Sequence, residues 1–407
     1  MPMLLIARIL LLLLLAFAAA SWIAWFIFSR RAIPLIPLLS PDNNRLQAHE
    51  IPRVTVCIPA RNEEDHIVEC LRSVLAIDYP SFDVIVVDDR STDGTPRILD
   101  GIAACDGRVT VIHNSETPEG WMGKCYALHL AAARARSPWL LFIDADTRHH
   151  PQCLRVCMRE IFDHDLDVLS PISGFEAPTF WEKLLMPSCG MILMGRVRGD
   201  LTNSPDFPAG FLNGQFFLIS RQAYDAVGGH EAVRACVLED VAFAHAVKKA
   251  GFRIRLAWGR DILRVRMYAG LRQMLVGWSR IFFGVVGRKA VPYLVMCANS
   301  VVWTLVPCAV LLLAPFLILS GPLHPLTWLS FSIALLSFTF SVLTMRIACI
   351  LSGVQTRYAF ARPLVSALLV VIFGRALALA LGCTPLSLRG TTYQVHNVAP
   401  SSPPRPQ

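Results

Sequence analysis

Past Asp261 the chain has no aspartate or glutamate, and residues 50–290 hold nearly all of its acids. The chain has 407 residues, of which 54% are hydrophobic and only 17% charged. Long acid-free stretches in such a chain exclude an ordinary soluble globule and point to membrane spans. Cysteine pairs of the C-x-x-C type are also missing, which excludes zinc ribbons. Cys153 and Cys157 lie one helical turn apart, yet no His or Cys cluster completes a zinc site. The twelve scattered cysteines read as reduced, mostly buried thiols, and imply a reducing cytoplasmic face. The G-x-x-x-x-G-K-[ST] spacing of a P-loop is absent. No repeat of solenoid type is present.

What fills the ends is apolar. Ile9–Phe28 is twenty residues without a charge, enough to span about 30 Å of hydrocarbon. Ala18-Ala19-Ala20-Ser21 resembles a signal-peptide cleavage site. The apolar run nevertheless continues through Trp22, Trp25 and Phe28 to Arg30 and Arg31, as expected of an uncleaved anchor. Val291–Ser320 is thirty uncharged residues, with Pro292, Pro307 and Pro315 as kinks or end markers. Leu326–Met345 is a second span beyond the turn-like Gly321–Pro325. Pro363–Cys383 is a third, with Arg375 near its middle. A central arginine costs about 2.5–3.5 kcal/mol on insertion scales, so this segment either spans with a partner for Arg375 or lies along the interface. The Pro- and Ser-rich Ala399–Gln407 reads as disordered. The net charge of +8 comes largely from arginine after residue 250. It suits anionic lipid headgroups and, equally, the cationic flanks of cytoplasmic loops.

Between the ends, short apolar strands alternate with helical patterns. Arg53–Pro59, Phe82–Val87, Val109–His113 and Trp139–Ile143 read as strands. Ile67–Ala76, Pro96–Ala104 and Gly123–Ala135 read as helices; Ile67, Leu71, Val74 and Leu75 share one face. The alternation predicts an α/β, Rossmann-like, mostly parallel sheet. Ligands of such sheets bind beyond the carboxyl ends of the strands. The segment Pro59-Ala60-Arg61-Asn62-Glu63, the pair Asp88-Asp89 and Asp144-Ala145-Asp146 all fall there. The division expected is an anchor over 1–30, a globular domain over 51–260 and an interfacial amphipathic segment over 261–290. Two or three spans over 291–383 and a tail over 384–407 follow.

Each cluster carries a chemistry and a plainer alternative. A carboxylate at Asp89 can accept hydrogen bonds from a base or ribose, while Asp88 can brace the Ser91-Thr92-Asp93 turn. Asp144 and Asp146 project from one side of an extended chain and can share a hard divalent cation that would neutralise a diphosphate leaving group. Glu239-Asp240 opens the helical pattern Val241–Ala250, where acids favour the helix dipole; Asp240 also suits a general base. Gly210–Phe217, containing Gly214 and Gln215, is a glycine-hinged candidate for an acceptor wall. Lys124, ending Gly-Trp-Met-Gly-Lys at a helix start, can meet phosphate or lie solvated. Arg264, Arg266, Arg272, Arg280 and Arg288 interleave with Tyr268, Trp278, Phe282 and Phe283, which suits an interfacial helix far better than nucleic acid.

These residues carry a resemblance. Ile58-Pro59-Ala60-Arg61-Asn62-Glu63-Glu64, Val-Val-Asp-Asp-Arg-Ser-Thr-Asp-Gly-Thr, Asp-Ala-Asp and Glu-Asp, in that order, resemble the family 2 inverting glycosyltransferases. Gly-Trp-Met-Gly-Lys, Gly228-Gly229-His230 and Arg266-Met267-Tyr268 before Trp278 resemble those that act on lipids, of hopanoid-associated and carotenoid types. Arg389-Gly390 with Tyr393 echoes a C-terminal Trp-Arg-Gly-Arg-x-Tyr motif, without its Trp. The resemblance implies a GT-A fold, a nucleotide-base contact at Asp89, and contacts from Asp144 and Asp146 to the ribose and to a Mg2+ or Mn2+ on the diphosphate. It implies that Asp240, beside Glu239, is the general base. The Gln-x-x-Arg-Trp signature of processive synthases is absent; Trp278-Ser279-Arg280 stands in that region, which favours single transfer. The expected enzyme is a multi-pass glycosyltransferase of the inner (cytoplasmic) membrane with a cytoplasmic catalytic domain. Its expected partners are a nucleotide sugar, from the family a UDP-sugar, and a lipid hydroxyl or carboxyl. A polysaccharide or polyprenyl-phosphate sugar transferase, or a non-catalytic membrane scaffold of the same fold, are the alternatives.

Overall fold

The computed structural model describes residues 2–46, 51–236, 238–320, 323–388 and 391–393. Val237, Gly321-Pro322, Arg389-Gly390 and the tail segment Ala399–Gln407 lie outside the described residues. In chain order the elements begin with α1 (Pro2–Ala32), β1 (Val54–Ala60), α2 (Ile67–Leu75), β2 (Phe82–Asp89), α3 (Thr95–Cys105), β3 (Val109–Asn114), α4 (Gly123–Arg134) and β4 (Trp139–Ile143). Next come β5 (Thr147–His149), α5 (Cys153–His164), β6 (Val168–Ile172), β7 (Gly174–Phe175), α6 (Phe180–Val197), β8 (Phe216–Ser220), α7 (Arg221–Ala226) and α8 (Glu239–Lys249). Then follow β9 (Ile254–Trp258), β10 (Leu263–Val265), α9 (Leu271–Val286), α10 (Ala290–Ser300), α11 (Val306–Leu319), α12 (Pro325–Leu351) and α13 (Arg362–Ala380). A small antiparallel pair, β11 (Leu386–Leu388) with β12 (Thr391–Tyr393), closes the series.

The chain forms two compact units. The α/β unit comprises Leu35–Glu176, Met194–Met267 and the stretch from Pro385. Its main sheet has seven strands in the order β3-β2-β1-β4-β8-β6-β9. Parallel pairing joins β3, β2, β1 and β4, and also β6 with β9; β8 runs antiparallel to both of its neighbours. Every residue of β1 is buried, as expected of a strand covered on both faces. Val54, Val56 and Ile58 enter one core with α2 and α5, while Cys57 enters the opposite core with α4 and α8. Fully burying each of these branched side chains contributes about 1.5–3 kcal/mol. A second sheet, β5-β10-β7, lies beyond the Asp144–Asp146 turn.

The helical unit comprises Met1–Pro34, Ala177–Leu193 and Tyr268–Thr384. Residues 177–193, which hold most of α6, group with the apolar helices. The physical reason is that Leu184, Leu185, Met186, Pro187, Ser188 and Cys189 form a buried run with no polar stripe between them. Among the described residues, four helical stretches are long and apolar enough to cross a membrane: Met3–Leu35, Ala290–Leu319, Pro325–Leu351 and Thr356–Ala380. Exposed Leu10, Leu13, Leu312 and Phe316 suit contact with acyl chains. This is a membrane protein.

Between α10 and α11 the chain makes a π-helical turn, Val301–Leu305, just ahead of Pro307. The carbonyl of Trp303 there accepts bonds from the Trp22 indole at 2.8 Å and the Ser337 hydroxyl at 3.3 Å. α9 turns its aromatic side inward. Trp278 is buried, its indole N–H donates to Met186 Sδ at 3.4 Å, and Phe282 meets Phe373 of α13 edge-on. Arg375 is exposed on α13.

Candidate active site

The three acidic or polar clusters meet at one rim because β1, β2 and β4 are parallel neighbours. Register pairs Ala60 with Asp88, and Asp88 and Asp89 with His113 and Asn114. The loops after β1 and β2 are laced together. Ser91 Oγ accepts from the Asn62 amide at 3.0 Å, Asn62 Oδ1 from the Thr92 amide at 2.8 Å, and Glu64 Oε2 from the Gly94 amide at 2.7 Å. Asn62 and Arg90 both adopt left-handed backbone angles, φ 52° and 58°, to make these turns. Glu63 is buried, its amide donating to Thr95 Oγ1 at 2.8 Å while its carbonyl receives the first amides of α2.

Asp88 and Asp89 divide their work. Asp88 Oδ1 accepts from the Ser91 amide at 3.2 Å, and Oδ2 lies 3.0 Å from His113 Nδ1. It braces the loop. The bonds to Asp88, and then to Asp100, raise the His113 pKa above the ordinary histidine value. Asp89 gathers Arg90 Nε at 2.9 Å, Asn114 Nδ2 at 3.0 Å, Thr117 Oγ1 at 3.4 Å and Arg61 Nη1 at 3.7 Å. A Cβ at Gly123 would sit 2.5 Å from Asp89 Oδ2, so the start of α4 can approach only as glycine.

Lys124, the next residue, bridges two elements. Its Nζ lies 2.9 Å from Asp144 Oδ1 at the end of β4 and 2.8 Å from Glu239 Oε1 at the start of α8. Burial opposes its charge, but Asp144, Glu239 and Asp240 outweigh burial and hold the ammonium well above the usual lysine range. Asp240 Oδ2 accepts from the Gly214 amide at 2.9 Å, and Oδ1 from its own helix at the Val241 amide, 2.8 Å away. Burial and then the Glu239 charge push the Asp240 carboxyl up to about 7, against Lys124 and these two amides. A Cβ at Gly214 would stand 2.7 Å from Asp240 Oδ2. The carbonyl of the following residue, Gln215, accepts from the Asp144 amide at 3.4 Å, and its side-chain oxygen accepts from Ser173 Oγ.

The antiparallel direction of β8 brings Gly214 and Gln215 to this rim: the strand starts where its neighbour β4 ends. Pro59, Ala60, Arg61, Asp88, Asp89, Lys124, Asp144, Gly214, Gln215, Glu239 and Asp240 thus fall in one run of contacts or strand ends. Asp146 follows on the β4 turn, its carbonyl accepting from the Arg266 amide at 3.3 Å. Tyr268, Trp278 and Arg280 belong to the helical unit. Trp278, expected toward the acceptor or the membrane interface, is an interior residue of that unit, because α9 spends its aromatic face on α6 and α13. Sequence reasoning passed over His113, Asn114 and Thr117. The register of β3 on β2 would have found the first two, since each directly faces an aspartate.

Residues 55–228 match the family model described as Glycosyl transferase family 2. The chain is 27% identical over 236 residues to the 4,4'-diaponeurosporenoate glycosyltransferase of Staphylococcus aureus (strain USA300), covering 56% of this chain and 60% of that one. The protein of the same name from Staphylococcus haemolyticus (strain JCSC1435) is 26% identical over 245 residues, covering 60% and 64%. The chain therefore spans somewhat under two thirds of these relatives. The fold is similar to that of a mannosyltransferase from Pyrobaculum calidifontis in complex with GDP-Man and Mn2+. The TM-score is 0.55 at 18% identity over 90% of this chain and 99% of that one. The chain has the GT-A fold of that mannosyltransferase, and the family match runs from β1 to just past α7.

Proposed function

We propose that this chain is a membrane-bound inverting glycosyltransferase. It moves one sugar from a nucleotide sugar, a UDP-sugar by our reading, to a hydroxyl or carboxyl of a lipid acceptor of hopanoid, carotenoid or glycolipid type. One observation carries the reading. Asp240, with its carboxyl near neutrality, is fixed by the Gly214 amide in the same network as the β4-tip carboxylate Asp144. A base poised near the working pH combines the right protonation state with a useful driving force. The relatives named for diaponeurosporenoate support a lipid acceptor, and the membrane-length helices support an enzyme that meets it in the bilayer.

In this mechanism Asp89, with Arg61, receives the nucleoside, and Lys124 meets the diphosphate. Asp240 takes the proton from the acceptor hydroxyl as that oxygen bonds to the anomeric carbon. The bond from that carbon to the diphosphate oxygen breaks on the opposite face, which inverts the configuration. The nucleoside diphosphate leaves with the bonding pair. Asp144 and Asp146 would hold Mg2+ or Mn2+, which supplies charge neutralisation at the leaving diphosphate. The residues fit such an ion. Among the described residues no cluster of three or more His, Cys, Asp or Glu side chains forms a metal cage. Hard carboxylate oxygens two residues apart on the turn after β4 suit a cation that shares its shell with phosphate and water. Arg30 and Arg31 at the end of α1, just ahead of the α/β unit, support a cytoplasmic catalytic side in the inner membrane.

The test is Asp240→Asn in membranes supplied with labelled sugar nucleotide. Labelled lipid is expected to fall roughly 10²- to 10⁴-fold. Labelling at the wild-type level would overturn the base assignment. A labelled polymer, or an acid-labile phosphate-linked product from the wild type, would overturn the acceptor.

A further inference from the structure

The helical unit buries a guanidinium and provides no carboxylate for it. Arg362 opens α13 and is only 7% exposed. Its Nη1 donates to Ser188 Oγ at 2.8 Å, and its guanidinium carbon lies 4.7 Å from the centre of the Trp22 ring. Its Nε has no hydrogen-bond partner. Glu182 is the only acid in the sequence of this unit, and it is bonded to Thr179. Among the described residues no carboxylate pairs with Arg362.

Other polar groups of the same unit are also left unsatisfied. Ser366, one turn along α13 and wholly buried, has a hydroxyl without a hydrogen-bond partner. A helical side chain leans toward its own N-terminus, so this hydroxyl is directed back along α13 toward the Arg362 turn. Thr304 in the π-helical turn, 2% exposed, also lacks a partner for its hydroxyl. No side chain caps α13, since Ala361 holds the cap position. A 3-10 turn, Thr356–Ala361, leads directly into α13 at this point. π-Helical turns recur at functional sites.

A buried cation without an anion is costly, and an arginine within a membrane-spanning unit marks a site unless a partner neutralises it. The Trp22 face and the Ser188 hydroxyl are neutral and occupy only part of the guanidinium's donor set. What remains is a planar fork suited to two oxygens of one anion. We propose that Arg362, Ser366 and the first turn of α13 bind the oxyanion head of an acidic amphiphile, a phosphate or a carboxylate on a lipid. The surrounding helices are apolar and expose leucine and phenylalanine outward, which suits a ligand with an acyl tail over a free ion.

The experiment is native mass spectrometry of the full chain in detergent, titrated separately with phosphatidylglycerol, palmitate, phosphatidylcholine and inorganic phosphate. The wild type is expected to retain one phosphatidylglycerol or palmitate and no phosphatidylcholine. Arg362→Gln is expected to weaken that retention roughly tenfold or more, which corresponds to at least one lost charge-assisted bond. Arg375→Gln, an exposed arginine of the same helix, is expected to match the wild type. Equal retention of phosphatidylcholine by the wild type, or wild-type retention of the acidic lipid by Arg362→Gln, would overturn the proposal. Displacement of the lipid by inorganic phosphate at equal concentration would overturn its amphiphile part. Should Arg362→Gln not fold, Ser366→Leu replaces it. That substitution fills the space beside an intact Arg362, and wild-type lipid retention by it would equally overturn the site.

Discussion

Lys124 is a half-buried cation and Arg362 a buried one, and the two units treat them in opposite ways. Lys124 stands between Asp144 and Glu239, with Asp240 beyond. Arg362 has an indole face and one hydroxyl. The difference teaches where each charge does its work. A cation clasped by carboxylates organises its own unit, and removing it leaves the acids repelling one another. A cation left with neutral neighbours contributes little to its unit until an anion arrives.

Substitution is the sharpest way to break this contrast. Lys124→Met is expected to lower turnover roughly 10²- to 10³-fold, as for loss of one preorganised charge donor, and to lower thermal stability by about 2 kcal/mol. Arg362→Met is expected to change stability by less than about 1 kcal/mol, because it removes an uncompensated charge along with its contacts. Equal losses in calorimetric unfolding of the two variants would erase the distinction. Gly214→Ala comes next. Its Cβ would push Asp240 off the amide that holds it, and a shift of about 1 Å costs roughly 10²-fold in turnover. A steady-state assay showing unchanged kcat would remove Gly214 from the site.

A pH profile probes the paired side more gently. Asp240 must be ionised to accept a proton, and its carboxyl is raised to about 7. Turnover should therefore fall tenfold per unit as pH drops below about 7, and level off above it. Loss of that acid limb in Glu239→Gln, which removes the neighbouring negative charge, would be the expected shift toward lower pH. The smallest effect belongs to His113→Gln. His113 is raised above its ordinary 6.5 by Asp88 and Asp100. Its stabilising contribution is present in full below that ordinary value and fades as pH rises through the raised one. The variant should lose no more than about 0.5 kcal/mol, and only on the acidic side.

Much of the α/β unit was legible because its signals are local. A strand covered on both faces reads as an unbroken apolar run, and the alternation of such runs with helical spacing fixes neighbours and direction through β4. The acids at those strand ends followed directly. What stayed hidden depends on distant partners. Nothing in Phe-Phe-Leu-Ile-Ser states that β8 runs backwards; its pairing with β4 and β6 decides that. Between Lys183 and Arg196 α6 carries no charge, so its sequence alone does not say which core receives it. The lack of acids beyond Asp261 was visible from the start, yet only burial shows that Arg362 is the arginine for which this lack matters.

The two residues ahead of β8 act as a gauge block. The amide of Gly214 holds Asp240, the proposed base, and the carbonyl of Gln215 holds the tip of β4. Any slide of β8 along its neighbour would carry both together, so the spacing between Asp240 and the β4 tip is cut into the backbone itself. Side chains around the proposed acceptor site can then vary without recalibrating that spacing.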